Sequence, residues 1–196
     1  VLVGSEGTLA VVTKVTLRLV RRPEAVQTLL AAFDSTDAAG NAVSEIISAG
    51  IIPAAIEMMD RTTIRAAEAA VHPGFPDAEA VLIVELDGPQ SEVAALFAQV
   101  EAVCVRNDGW GLQVARDEAQ RGRIWMGRKA AFAAMGRIAP NYYVQDGVIP
   151  RSKLPEVLRR IRQLEIESGL TIGNVFHAGD GNLHPLVCYD DAVDGQ

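Results

Sequence analysis

Apolar and polar residues alternate strictly over residues 15–19, with Val15, Leu17 and Leu19 on one side and Thr16 and Arg18 on the other. That two-residue period predicts a half-buried strand. Arg21-Arg22-Pro23-Glu24 interrupts it and reads as a joint to the rest of the chain. Beyond the joint, short apolar runs alternate with segments of helical character. Residues 26–33 predict a strand, and Asp34-Ser35-Thr36-Asp37 supplies capping side chains for a helix over 38–49 that Gly50 closes. A short strand over 53–58, a helix over 61–71 and a strand over 80–86 follow. Pro89 and Ser91 lead into a helix over 92–104. The pattern then predicts a strand over 111–115, a long helix over 117–135 and a strand over 142–149 ended by Pro150. Ser152 and Glu156 open a further helix that runs to Ser168, where Gly169 stops it. Strands over 171–177 and 183–189 complete the reading.

Strand–helix alternation of this kind can signal a parallel doubly wound sheet. Here the connections fit a split β-α-β arrangement better. The fold class expected is α+β: two ferredoxin-like split β-α-β halves sharing a mostly antiparallel sheet covered by helices. The last two strands are joined by too few residues for a parallel crossover, so they must run antiparallel.

Composition narrows the function classes. Of 196 residues, 49% are hydrophobic and 22% charged, which excludes a disordered or collagen-like chain. Apolar runs fall well short of the roughly 20 residues of a membrane span. A net charge of −7 argues against nucleic acid or an anionic membrane surface as the main partner. Two cysteines, Cys104 and Cys188, are too few for a disulfide scaffold and read as reduced, buried cytosolic thiols. Opening on Val1-Leu2-Val3, without Met or a basic leader, the chain reads as a piece of a longer protein without a signal peptide.

Three stretches carry candidate chemistry. Gly4 and Gly7 flank Ser5 and Glu6 ahead of a strand rather than a helix, so the helix N-terminus that cradles phosphate is absent. The loop is either a tight turn or a place where backbone N–H groups approach a nucleotide cofactor. The most informative stretch is His177-Ala178-Gly179-Asp180-Gly181-Asn182-Leu183-His184. Asp180-Gly181 is a strong two-residue hairpin signal. Taking it as the turn pairs Gly179 with Asn182, Ala178 with Leu183 and His177 with His184, and a loop widened to 179–182 keeps that pairing. Opposed residues share a sheet face, so both imidazoles could reach one ion. Two half-buried histidines without a ligand are the plainer alternative. Cys188 shares the face but lies too far along the strand to join them, so a third ligand would be a carboxylate or a residue elsewhere. Arg128 sits among Arg121, Arg123, Ile124, Trp125, Met126 and Lys129. It is either part of a solvated basic face or a fork for a substrate carboxylate. His72 reads as an exposed turn residue, and Phe75 and Trp110 as packing.

Taken together, these stretches resemble a known family. Val3-Gly4-Ser5-Glu6-Gly7-Thr8-Leu9 resembles the closing segment of the FAD-binding domain of the vanillyl-alcohol-oxidase superfamily. The stretch from Asn174 to Pro185 resembles the signature of FAD-linked oxidase C-terminal domains, most like the glycolate oxidase GlcD and D-lactate dehydrogenase branch. Pro53-x-x-x-Glu57-x-Met59-Asp60, Trp125-x-x-Arg128 and Asp146-Gly147-Val148-Ile149-Pro150-Arg151-Ser152 agree with it.

The resemblance implies a flavoenzyme that oxidises a small D-2-hydroxy acid by hydride transfer to flavin. Residues 1–22 would end the FAD-binding domain, with Gly4, Ser5, Glu6 and Gly7 at the cofactor. Residues 23–196 would be the substrate and cap domain, truncated before the family's Glu-His-Gly segment. His177 and His184 would hold a divalent metal, zinc for choice, and Arg128 the substrate carboxylate; all three would be catalytic. Partners would be the 2-hydroxy acid, the FAD domain of the same chain and further oxidase subunits, in the cytoplasm or on the inner face of the membrane. Val144 and Gln145 replace a lysine that grips a distal carboxylate in some members, which favours a monocarboxylate substrate. Two other readings stand beside this one: a ferredoxin-like small-molecule or assembly module, and a metal-dependent hydrolase using the two histidines.

Overall fold

The computed structural model describes residues 1–5 and 7–195. Residues 1–24 contain neither helix nor strand among those described. The strand expected over 15–19 does not form. Its alternation is real, but Val15, Leu17 and Leu19 are 63%, 75% and 91% exposed, and no strand lies alongside. A lone strand leaves its backbone donors and acceptors unpaired, so alternation without a neighbour does not suffice.

From Ala25 onward the order is β1 (Ala25–Phe33), α1 (Thr36–Ser48), β2 (Ala55–Asp60), α2 (Arg61–Val71), β3 (Ala80–Gly88), α3 (Gln90–Arg106) and β4 (Trp110–Val114). Then come α4 (Glu118–Ala134), β5 (Asn141–Val144), β6 (Gly147–Val148), α5 (Leu154–Ser168), β7 (Ile172–His177), β8 (Asn182–Leu183) and β9 (Pro185–Tyr189). Ser35 caps α1, its hydroxyl accepting from the Ala38 N–H at 3.0 Å, and Gly169 ends α5 in the left-handed region at φ 72°. Ser152 is not a cap; it lies in a 3-10 turn over Arg151–Lys153 ahead of α5.

The sheet runs β4-β1-β3-β2-β7, and every strand pair described is antiparallel. β3 lies between β1 and β2, the split β-α-β order. Beyond β7 the sheet forks: β8 and β6 continue it at one end of the strand, β9 and β5 at the other. Helices α1, α3 and α5 cover one face, α2 and α4 the opposite one. In β1, Leu29, Ala31 and Phe33 point into the first core, Leu30 and Ala32 into the second. Burial on both faces is why β1 and β3 are almost wholly apolar rather than alternating. Each fully buried large side chain there contributes about 1.5–3 kcal/mol relative to exposure. No helix among the described residues is long and apolar enough to cross a membrane.

Two strands expected as continuous are broken at the same level. The expected strand over 142–149 stops at Val144 and resumes at Gly147; that over 183–189 breaks at His184. Pro185 explains the second break, since it has no N–H to continue the ladder. The Gln145 N–H instead donates to the Pro185 carbonyl at 3.0 Å. The paired breaks open the sheet where His184 and Asp146 meet.

Candidate functional site

The hairpin register differs from the turn arithmetic. His177 pairs with Asn182, and the continuation, Asn174 with Pro185 and Gly173 with Leu186, keeps the same sum. The loop thus spans residues 178–181, with the Asp180 N–H on the His177 carbonyl at 3.1 Å and the Gly181 N–H on the Ala178 carbonyl at 3.3 Å. His177 therefore does not face His184 directly. The slip amounts to two residues on one strand, and only an odd slip moves a side chain to the other face. His184 still lands beside His177, diagonally: the ring centroids are 5.6 Å apart and the planes meet at 86°.

Glu57 joins them from β2. It stands opposite His177 in the β2–β7 ladder, and its Oε1 lies 2.7 Å from His177 Nδ1. Its other oxygen, Oε2, accepts from Arg128 Nε on α4 at 2.8 Å. Arg128 is buried, which removes the solvated-face reading. Its guanidinium carbon lies 5.7 Å from the centre of the Phe132 ring, and that ring packs edge-on against His184 with centroids 5.9 Å apart. The spacing of Arg128 and Phe132, four residues apart on one helix, puts both on the same face. Asp146, in the gap between β5 and β6, has its Oδ1 3.7 Å from His184 Nδ1. Burial pulls the His184 pKa below the ordinary histidine value; Asp146 opposes this, while His177 and Arg128 repel the charged ring. His184 is thus held toward the neutral form that can ligate a metal.

The arrangement presents two adjacent imidazoles of which one, His177, has its Nδ1 taken by Glu57. It also presents a guanidinium whose Nε edge is used by Glu57, leaving the Nη edge for a ligand. Asn182, opposite His177, carries an orphaned buried Oδ1. Among the described residues no group of three or more His, Cys, Asp or Glu side chains is placed to hold a metal ion, so the pair of histidines stands without a third such side chain. A cavity of about 630 Å³ lies alongside, lined by Ile51, Ile52, Pro53, Arg151, Asp180 and, at the site itself, His177.

The remaining sequence candidates lie elsewhere. Gly4 and Gly7 take φ 86° and 77° in an exposed turn, where the Ser5 N–H donates to the Leu2 carbonyl at 3.3 Å and the Thr8 N–H to the Ser5 carbonyl at 2.9 Å. Ser5 is half-buried, and Glu6 falls outside the described residues. His72 is the exposed left-handed cap of α2, and Phe75 is buried packing. Trp110 is 39% exposed and donates its indole N–H to Asp34 at 2.8 Å. Residue-by-residue reading missed the roles of Glu57, Phe132 and Asp146. For Glu57 the signal was present, a lone carboxylate in the apolar run Ile56-Glu57-Met58-Met59.

Comparison with known proteins bears on the same stretch. The glycolate oxidase subunit GlcD of Escherichia coli (strain K12) is 50% identical over 194 residues, covering 98% of this chain and 39% of that protein. GlcD of Bacillus subtilis (strain 168) is 38% identical over 96% of the chain and 40% of its own length. A probable mitochondrial D-lactate dehydrogenase of Danio rerio is 31% identical over 96% of the chain and 38% of its own length. The chain thus spans about two fifths of the curated relatives it matches. Among solved structures, an alkyldihydroxyacetonephosphate synthase shares the fold, with a TM-score of 0.64 at 18% identity, over 94% of this chain and 38% of that one. The family model for FAD linked oxidases, C-terminal domain, matches residues 22–196, and it is to this family that the chain belongs.

Proposed function

We propose that this chain is the substrate-binding and cap domain of an FAD-dependent oxidoreductase that oxidises a small D-2-hydroxy acid of the glycolate or D-lactate type. The observation that carries the reading is the convergence of Arg128, His177 and His184 from α4, β7 and the β8–β9 break. Arg128 fits a substrate carboxylate because its Nη edge offers two parallel N–H donors while Glu57 neutralises and steers the guanidinium. His177 and His184 would hold a divalent metal, zinc for choice. The two imidazoles stand at adjacent positions, His184 held toward its neutral form, and further ligands would come from substrate oxygens and a carboxylate outside this pair. When bound, the metal supplies Lewis-acid polarisation of the hydroxyl and carboxylate oxygens. The chain's own side chains bind and orient: Arg128 would fix the carboxylate end, Phe132 packs edge-on against His184 and holds its ring, and the two imidazoles would position the C2 oxygen. A bound flavin would supply the acceptor for the hydride from C2.

The flavin would be held by a domain of which residues 1–22 form the closing segment, with Gly4, Ser5, Glu6 and Gly7 at the cofactor. The exposed apolar side of Val15, Leu17 and Leu19 supports that docking. Residues 23–196 are then the cap. Val144 and Gln145, with no lysine between the strands, favour a monocarboxylate. The protein would work in the cytoplasm or on the inner face of the membrane, with further oxidase subunits as partners.

The test is anaerobic addition of glycolate or D-lactate to the FAD-loaded protein, with an artificial electron acceptor to follow turnover. Bleaching of the flavin supports the reading. Hydrolysis of an ester or amide without flavin would replace it by a metal hydrolase, and neither by a binding module. His177→Ala and His184→Ala should each abolish turnover while the flavin content stays at the wild-type level.

A further inference from the structure

Glu57 touches both the guanidinium and the imidazole of the site. Its side chain is 7% exposed, its Oε2 accepts from Arg128 Nε at 2.8 Å, and its Oε1 sits 2.7 Å from His177 Nδ1. In the ion pair with Arg128 the Glu57 carboxylate is the acceptor, and a carboxylate in that role accepts on both oxygens. The His177 nitrogen it touches must therefore carry the proton. A neutral imidazole has one N–H, so Nε2 keeps its lone pair and is the nitrogen free for a metal. The contact is built into the sheet rather than left to a surface rotamer, because Glu57 and His177 are direct partners across β2 and β7. On its other side the same carboxylate takes the Nε–H of Arg128, which leaves the two Nη groups unused by Glu57.

We infer that Glu57 is a positioning residue, which locks His177 in the Nδ1–H tautomer with Nε2 available and sets the Arg128 fork at the same time. This rests on the metal reading of the histidine pair given above. The plainer role would be charge compensation for Arg128 alone, with the His177 contact incidental. Glu57→Gln separates the two. A glutamine has a single acceptor, its amide oxygen, which the charged Arg128 Nε–H claims. Its NH₂ group then faces His177 Nδ1, and a donor there is satisfied only if Nδ1 becomes the acceptor and the proton moves to Nε2. The nitrogen the metal needs is then blocked. Partners of this kind typically change metal affinity by about 10–100-fold.

The experiment reads two quantities without turnover: the His177 tautomer from ¹⁵N ring shifts, and the affinity for Zn²⁺ added as the chloride, by competition with a chromogenic chelator. Wild type should show the Nδ1–H tautomer; Glu57→Gln should show Nε2–H and bind zinc about 10–100-fold more weakly. Glu57→Asp keeps an acceptor-only carboxylate and should retain the wild-type tautomer. Zinc affinity within twofold of wild type in Glu57→Gln, when His177→Ala loses zinc, overturns the inference. So does an Nε2–H tautomer in the wild type, which also decides the matter should Glu57→Gln fail to fold. If His177→Ala binds zinc like the wild type, the metal reading fails by itself, and the tautomer in wild type and Glu57→Asp still decides whether Glu57 holds His177.

Discussion

Arg128 and Glu57 form an ion pair almost out of reach of water: Nε donates to Oε2 at 2.8 Å, and the two side chains are 8% and 7% exposed. Deleting either partner strands a buried charge, at a cost of about 3–5 kcal/mol. Arg128→Lys is gentler and more informative. Lysine keeps the charge near Glu57 but has one ammonium, which cannot bond the carboxylate and fork onto a substrate as well. Losing a charge-assisted bond costs about 1.5–3 kcal/mol, so kcat/KM for the hydroxy acid should fall about 10–100-fold with flavin content unchanged. An unchanged kcat/KM would leave Arg128 with a structural role alone.

The fold was legible wherever a local rule decides. Ser35 capping α1, Gly50 and Gly169 closing helices, and the doubly buried β1 and β3 all follow from neighbouring residues in the chain. What the chain order hides is set by partners distant in sequence. Residues 15–19 alternate as a strand should and yet form none, because pairing depends on a neighbour that periodicity does not report. The hairpin arithmetic placed His177 and His184 on one face and missed the register by two residues, an error parity forgives. Glu57 reaches His177 across 120 positions of sequence and Arg128 across 71. No spacing rule spans such intervals; a charge inside an apolar strand is the trace that remained, and Glu85, which accepts from Thr28, Arg121 and Trp125, leaves the same trace.

Cys104 and Cys188 will form no disulfide. Both are free and buried, and they belong to cores on opposite faces of the sheet. Burial pushes the Cys104 thiol up to about 12 and raises Cys188 as well, so the thiolate that reacts is scarce at neutral pH. A thiol reagent should label the native protein slowly, and two thiols should be counted after denaturation without reductant. A count of zero would mean the pair is crosslinked and the strand assignment around Cys188 wrong.

Asp60 gives stability a pH dependence of definite sign. It caps α2 and accepts from the Thr63 N–H at 2.9 Å and the Asn174 N–H at 2.7 Å. Burial outweighs these donors and pushes its carboxyl up to about 6 from 3.8. A raised acid means that folding favours the neutral form. Its contribution is full below about pH 4 and is lost as pH rises through about 6. Two pKa units correspond to about 3 kcal/mol. Urea unfolding of wild type and Asp60→Asn should therefore show a stability difference that moves against the wild type by about that amount between pH 4 and pH 7. A difference moving the other way would mean that the donors from Thr63 and Asn174 outweigh burial.

The loop between the two histidines turns on Gly181. Its φ of 72° lies in the left-handed region, and a Cβ there would run into the Ile149 carbonyl oxygen. That carbonyl belongs to the strand end just past β6, whose Ile149 N–H donates to the Gly181 carbonyl at 2.9 Å. Backbone meets backbone, so no side chain can swing aside to make room. Gly181→Ala must open the β6–β8 edge or shift the loop, and strain of this kind costs about 1–3 kcal/mol. Because the loop sets the diagonal approach of His177 and His184, the same change should separate the rings and weaken zinc binding beyond what the loss of stability accounts for. Zinc titration at a temperature where wild type and variant are both fully folded isolates that part. Gly122→Ala is the control: a Cβ at Gly122, on α4, meets nothing within 4 Å, so it should raise stability by up to about 1 kcal/mol through helix propensity and leave zinc binding unchanged. If Gly181→Ala lowers the unfolding midpoint yet binds zinc as tightly as the wild type, the loop serves the fold, and the imidazoles are held in place by Glu57 and Phe132 instead.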